Sequence, residues 1–286
     1  EFGSHTERER NPMHNFSRIQ TVLDLTPKRE DALLLGDDIF GVFDGAGSLV
    51  KFVDPIRGTG GKIASSVTRD TFAAGNGSLA DLALKANLEI KRQMAEAGID
   101  VKKKVNLWST TAAVVRMGND SFEWLEIGDS VILVIRTDGK FNLLVDYHDH
   151  DRELLAVCKE LAEKGESDPH SVIVANGQAQ TLREKVNITY GALNGEDAAM
   201  RWVRSGTMSL DGIDHILIFT DGLLIPKEDP KVPNDWRMTV KLFLTIGLDG
   251  LVDFVRNLQH KDPFCKKYVR YHPYDDIAAI ALSRKE

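Results

Sequence analysis

The most apolar stretches of this chain begin or end at carboxylates. Ile39-Phe40-Gly41-Val42-Phe43 runs into Asp44-Gly45, and Ile216 to Phe219 runs towards Asp221-Gly222. Ala32 to Leu35 follows Glu30-Asp31, and Ile277 to Leu282 follows Asp275-Asp276. Runs of this composition are built for burial as strands. A carboxylate at the end of a buried strand costs free energy unless its charge is compensated. Converging carboxylates also repel one another, by roughly 1 kcal/mol per pair at 4 Å in bulk water and about 4 kcal/mol at a protein-like effective dielectric. Divalent cations relieve both costs, so the pattern predicts a metal site on a scaffold of strands.

The strand directions allow these acids to meet. Gly36-Asp37-Asp38-Ile39 separates two short apolar runs as a two-residue hairpin loop does, and pairing Gly36 with Ile39 places Asp31 opposite Asp44. Asp44 and Asp221 close their strands while Asp31 and Asp275 open theirs, and in antiparallel neighbours an opening end lies beside a closing end. Asp138 lies beyond the far end of the strand Val131 to Arg136, roughly 20 Å from Asp129 at about 3.3 Å per residue, and reads as an ordinary turn residue.

Lys62 to Phe72, Leu79 to Met94 and Asp149 to Lys164 carry helical spacing, and Thr239 to Leu258 reads as helical pieces broken near Gly247 and Gly250. Thr111 to Arg116, Phe122 to Ile127, Val131 to Arg136 and Phe141 to Val145 are strand candidates joined by turn residues, which predicts an antiparallel meander. Ser167 to Asn187 reads as a polar, irregular loop or insertion. Strands mixed with long helices suggest two packed sheets with helices on their outer faces.

Glu1 to His5 looks like a cloning scar and the polar run to about Asn15 lacks apolar periodicity, so residues 1–15 are set aside and 16–286 are read as one domain. A formal charge of -7 argues against a sequence-independent nucleic-acid binder. Two isolated cysteines, Cys158 and Cys265, fit neither a disulfide framework nor a thiolate zinc site, and point to a reducing, cytoplasmic setting. Phe243 to Val255 is interrupted by Asp249 and Asp253, so no membrane span is expected.

The ordered pieces Arg29-Glu30-Asp31-Ala32, Phe40 to Gly47, Ser109-Thr110-Thr111-Ala112, Ile127-Gly128-Asp129-Ser130, Phe219 to Leu223 and Asp275-Asp276-Ile277-Ala278 resemble the PP2C (PPM) family of metal-dependent serine/threonine phosphatases, in its bacterial form. The resemblance implies an α+β fold, a four-layer α-β-β-α sandwich of two antiparallel sheets flanked by helices. It also implies two Mn or Mg ions and a phosphoprotein substrate. By position, Asp44 would bridge the ions, the Gly45 carbonyl would bind one, and Asp221 and Asp275 would hold the other. Glu30 and Asp31 would act through waters, and Asp129 would lie near a doubtful third site or simply serve its turn. A water activated between the ions would attack the phosphorus in line. Hard oxygen donors favour Mg or Mn over zinc.

The chain departs from the family at Ala46, where many members have a proposed general-acid histidine, and at Thr26, where many have a phosphate-binding arginine. Lys28 or Arg29 is expected to replace the latter. Ile225 stands in place of a third-metal aspartate. These departures keep open a second reading, a catalytically weak or silent member that binds a phosphoprotein or signalling partner. His148-Asp149-His150 reads as a solvated loop and helix cap. Gly58-Thr59-Gly60-Gly61-Lys62 lacks two key positions of a phosphate loop and reads as a helix entry.

Overall fold

The computed structural model describes Phe16 and residues 18–284, so the reading of residues 1–15 lies outside it. The first half of the chain forms β1 (Arg18–Asp24), β2 (Ala32–Leu35), β3 (Ile39–Phe43), β4 (Gly45–Ala46), β5 (Val53–Asp54), β6 (Gly58–Thr59), α1 (Gly60–Ala73) and α2 (Leu79–Glu96). It continues through β7 (Ser109–Thr110), β8 (Ala112–Met117), β9 (Ser121–Ile127), β10 (Val131–Arg136) and β11 (Phe141–Leu143). The second half forms α3 (Arg152–Glu163), α4 (Pro169–Ala175), α5 (Gln178–Glu184), β12 (Arg204–Ser209), β13 (Ile213–Phe219), α6 (Trp236–His260) and β14 (Ile277–Ser283).

Two antiparallel five-stranded sheets, ordered β1-β14-β13-β10-β11 and β12-β9-β8-β3-β2, stack face to face. Their layering follows from the period-two alternation of side chains along each strand. In β3, Phe40 and Val42 enter the core between the sheets, while Ile39 and Phe43 face α1 and α2. In β14, Ala278, Ile280 and Leu282 enter the inter-sheet core, while Ile277, Ala279 and Ala281 face α6. Strands buried on both faces read as unbroken apolar runs for this reason. The result is the expected α-β-β-α sandwich. The break in α6 falls at Gly247, whose φ of 73° lies outside the helical region.

Two expectations are corrected. The strand candidates from Thr111 to Val145 do not form one meander. β8 and β9 pair with each other, but the chain then crosses between the sheets, and β10 pairs with β11 and β13. Gly128, at φ +87°, sits at the start of the crossing. Turn residues announce a reversal but do not say in which sheet the next strand lands. The segment read as an irregular loop contains α4 and α5. α4 is capped by the Asp168 side chain, which accepts from the Ser171 N–H, and carries proline in its first turn. Ile173 of α4 packs with Leu154, Cys158 and Val269, so this stretch forms a small core of its own beside the acidic end of the sandwich.

Candidate active site

The hairpin β2–β3 has the expected register. The Gly36 N–H donates to the Ile39 carbonyl at 2.8 Å, and Ala32 pairs with Phe43, so the next step places Asp31 across from Asp44. β13 and β14 of the other sheet are antiparallel neighbours, with Phe219 opposite Ala279. Asp221 therefore lies just past the end of β13, and Asp275 just before the start of β14. The same end receives Asp129 from the crossing between β9 and β10. A cavity of about 430 Å³ opens there, lined among others by Glu30, Asp44, Gly45, Asp129, Asp221 and Asp275.

The electrostatics of this end are those of uncompensated acids. Burial, and then the charge of Asp221, raise the Asp44 pKa well above the ordinary carboxylate range. Burial, and then Asp275, do the same to Asp221. Asp31 is raised chiefly by burial, and Asp275 is pushed to about 6 by the same cause. Glu30 is raised by burial, against the opposing pull of a hydrogen bond from the Thr59 hydroxyl at 2.5 Å. Asp31 Oδ2 and Asp129 Oδ1 are buried without a hydrogen-bond partner. Among the described residues neither Asp44 nor Asp221 receives a side-chain hydrogen bond that offsets its desolvation.

Orphaned buried oxygens and a donor set of carboxylates with the neighbouring Gly45 carbonyl fit a hard divalent cation. Among the described residues no group of three or more His, Cys, Asp or Glu side chains is yet gathered to hold one ion. The donors fit in kind.

Backbone geometry fixes the turn that carries Gly45. A side chain there would press on the carbonyl oxygens of Glu30 and Gly61, so only glycine lets the acidic turn lie against the entry of α1. The Gly58 to Lys62 segment is the helix entry expected, with Thr59 accepting from the Lys62 N–H as N-cap of α1. Asp138 pairs with Lys140 in its turn, away from the acidic end.

The remaining expected residues divide. Lys28 lines the cavity, its Nζ 3.0 Å from His272 Nε2. Arg29 is exposed and is not part of that lining; it has a positive φ of 54° and its N–H donates to the Thr26 carbonyl. Ala46 and Ile225 line the cavity without a polar side-chain atom to offer.

Other residues at this end escaped the sequence reading. His150 is not in a solvated loop. It stacks on Tyr190 with ring centroids 4.1 Å apart, and its Nδ1 lies 3.6 Å from Asp129 Oδ2. Burial lowers its pKa, but the charges of Asp151 and Asp129 outweigh that and raise it. Asp149 is likewise engaged, in an ion pair with Lys227 at 2.8 Å. Asp276 accepts the backbone N–H groups of Thr26, Glu30 and Asp31. Arg183 of α5 reaches the Gly47 carbonyl and the Ser109 hydroxyl. Asp276 had a signal, its adjacency to Asp275; Arg183 had none, standing in a polar stretch without a motif.

A comparison with curated proteins finds no match. Among solved structures, the chain is similar to serine/threonine phosphatase Stp1 from Staphylococcus aureus, 16% identical with a TM-score of 0.57, covering 100% of each chain. It is also similar to the Mycobacterium tuberculosis serine/threonine phosphatase PstP/Ppp, 15% identical with a TM-score of 0.53, covering 94% of this chain and 98% of that one. A third is the catalytic domain of PstP in complex with two manganese ions, 15% identical with a TM-score of 0.54, covering 94% and 97%. At such identities the likeness establishes the shared fold. The sequence itself matches the family model for protein phosphatase 2C over residues 28–242, three quarters of the chain, and the protein belongs to that family of serine/threonine phosphatases.

Proposed function

We propose that the protein hydrolyses phosphoserine and phosphothreonine monoesters in proteins, with Asp44, Gly45, Asp221 and Asp275 holding two divalent cations, and that residues 16–286 act as a single phosphatase domain. The observation that carries this is the convergence of Asp31, Asp44, Asp129, Asp221 and Asp275 from both sheets, with buried oxygens left unpartnered. Divalent ions bound there would supply Lewis acidity and a water of lowered pKa. Asp44 follows directly on β3 and feels the charges of acids from both sheets, which supports a shared role for it. Glu30 is held by Thr59, and the backbone of Glu30 and Asp31 by Asp276; the Glu30 side chain lines the cavity, whereas Asp31 is buried and is not among its lining residues. Asp129, paired with His150, also lines the cavity.

Release of phosphate from a phosphothreonine peptide in the presence of manganese tests the reading. Turnover of the peptide well above that of small metabolite esters is expected, and no release with manganese or magnesium would overturn it. Ala46 and Ile225 favour the second reading, a silent member that binds a phosphoprotein. It predicts peptide binding without turnover by the wild-type protein.

A further inference from the structure

The cavity is walled by acids, yet four strong cations also line it: Lys28, Arg183, Lys227 and Arg270. Their partners differ. Lys227 lies 2.8 Å from Asp149, and Arg270 lies 3.3 Å from Asp262, so both are neutralised by carboxylates. Lys28 is exposed and meets a neutral acceptor, since burial, followed by the nearby Lys28 charge, drives the His272 pKa down to about 4. Arg183 is the more enclosed of the remaining two. Among the described residues it forms no ion pair; its Nη1 donates to Ser109 Oγ at 2.8 Å and its Nη2 to the Gly47 carbonyl at 2.5 Å.

A half-buried guanidinium with no carboxylate in ion-pair contact is costly, and burial lowers its pKa even against the nearby charges of Asp151 and Glu30. The cost is explained if an anion enters the cavity during function. Both hydrogen bonds pin the guanidinium to the acidic turn: Gly47 is two residues from Gly45, a span of at most about 7 Å, and Ser109 belongs to β7, which pairs with β4. The planar fork is thus oriented before ligand arrives, and among the described residues its remaining N–H donors have no partner. A guanidinium in this state suits two oxygens of one phosphoryl group.

We propose that Arg183 is the residue that binds the phosphoryl oxygens of the substrate, a phosphate monoester dianion. This rests on the phosphatase reading for the identity of the substrate, but the binding itself is separable from turnover. Arg183 comes from α5, so the small α3–α5 cluster carries part of the substrate site rather than merely flanking it. Ser109 and Gly47 act as its positioning partners.

The test compares wild type with Arg183→Gln, Arg183→Lys and Lys28→Gln in manganese. Two quantities are read: steady-state kinetics on a phosphothreonine peptide, and binding of inorganic phosphate by calorimetry. Arg183→Gln is expected to raise KM and weaken phosphate binding tenfold or more, with kcat falling less than threefold, and Arg183→Lys is expected to recover part of both. If Arg183→Gln misfolds, Arg183→Lys decides alone, with a threefold or larger weakening of phosphate expected. Phosphate binding and KM within twofold of wild type in the folded variants overturn the proposal. So does a loss that follows Lys28→Gln and spares Arg183→Gln, or a fall in thermal stability with phosphate binding intact. A wild-type protein that binds phosphate through Arg183 but turns over nothing would sink the phosphatase reading while leaving this one standing.

Discussion

The carboxylate of Asp276 accepts the backbone N–H of Glu30, a residue at the opposite end of the chain, and a second N–H from Asp31 at 3.1 Å. Asp276 is buried, and its other oxygen takes the N–H of Thr26. One side chain therefore fixes the loop that delivers two of the acids. Asp276→Ala leaves these donors without a partner and should destabilise the fold by about 2–4 kcal/mol. Asp276→Asn keeps one acceptor oxygen and should lose about half as much. Urea denaturation of both variants checks the order, and equal losses would show that the loop is held by something else.

Asp44→Asn should separate function from stability. The raised pKa of Asp44 means that folding disfavours its charge, so a neutral amide should stabilise the metal-free protein by about 1–3 kcal/mol. The same change removes the proposed shared ligand and should lower manganese-dependent phosphate release at least about 100-fold. Thermal melts with and without manganese check both halves. Stabilisation by the ion should be lost in the variant.

Gly45→Ala should be damaging out of proportion to its size. The added methyl would enter the space of the Glu30 and Gly61 carbonyl oxygens, both of them backbone and neither able to swing away. A loss of about 2–3 kcal/mol is expected from such overpacking, with a marked drop in manganese affinity because the Gly45 carbonyl is displaced. Gly139→Ala, at φ +77° with nothing near the added carbon, reports backbone strain alone, and the steric loss at Gly45, which is not at positive φ, should exceed it.

Glu126 gives a pH signature distinct from the acids of the cavity. It is buried in β9, one oxygen accepting the Ile132 N–H and the other unpartnered, and burial pushes its pKa up to about 8. A carboxyl whose pKa is raised on folding binds its proton more tightly in the native state. The stability tied to that proton is greatest below the unfolded value near 4.5, and is lost as pH rises towards about 8, at up to about 1.4 kcal/mol per pH unit. Glu126→Gln should flatten this part of the pH profile, with the variant gaining on wild type most at pH 8. Denaturation midpoints at pH 6 and pH 8 measure it, and parallel profiles would contradict the assignment.

The sandwich was legible because buried strands announce themselves by unbroken apolar runs, and β3, β13 and β14 do so clearly. The acids were legible because a carboxylate bounding such a run is anomalous, and the hairpin at Gly36 gave the Asp31–Asp44 relationship from turn geometry. The crossing at Gly128 was not legible, since pairing of β10 with β13 depends on contacts between residues far apart in sequence. Arg183 and His150 escaped for a related reason. Their chemistry comes from being carried into the cavity by α5 and by the loop before α3, and nothing local to either residue distinguishes it from a solvated one. Arg29 shows the converse, a residue adjacent to the acidic motif that is exposed and does not line the cavity.

Asp31 and Asp44 belong to one sheet, Asp221 and Asp275 to the other, and the layers between them are joined mainly by apolar side chains, which resist separation better than they resist sliding. An ion chelated across that seam would act as a rivet. Sheet alignment and ion occupancy then become one equilibrium, so that any substitution easing slippage deep in the inter-sheet core, at Val42 or Ile280 for example, should register first as weaker metal retention at a distance.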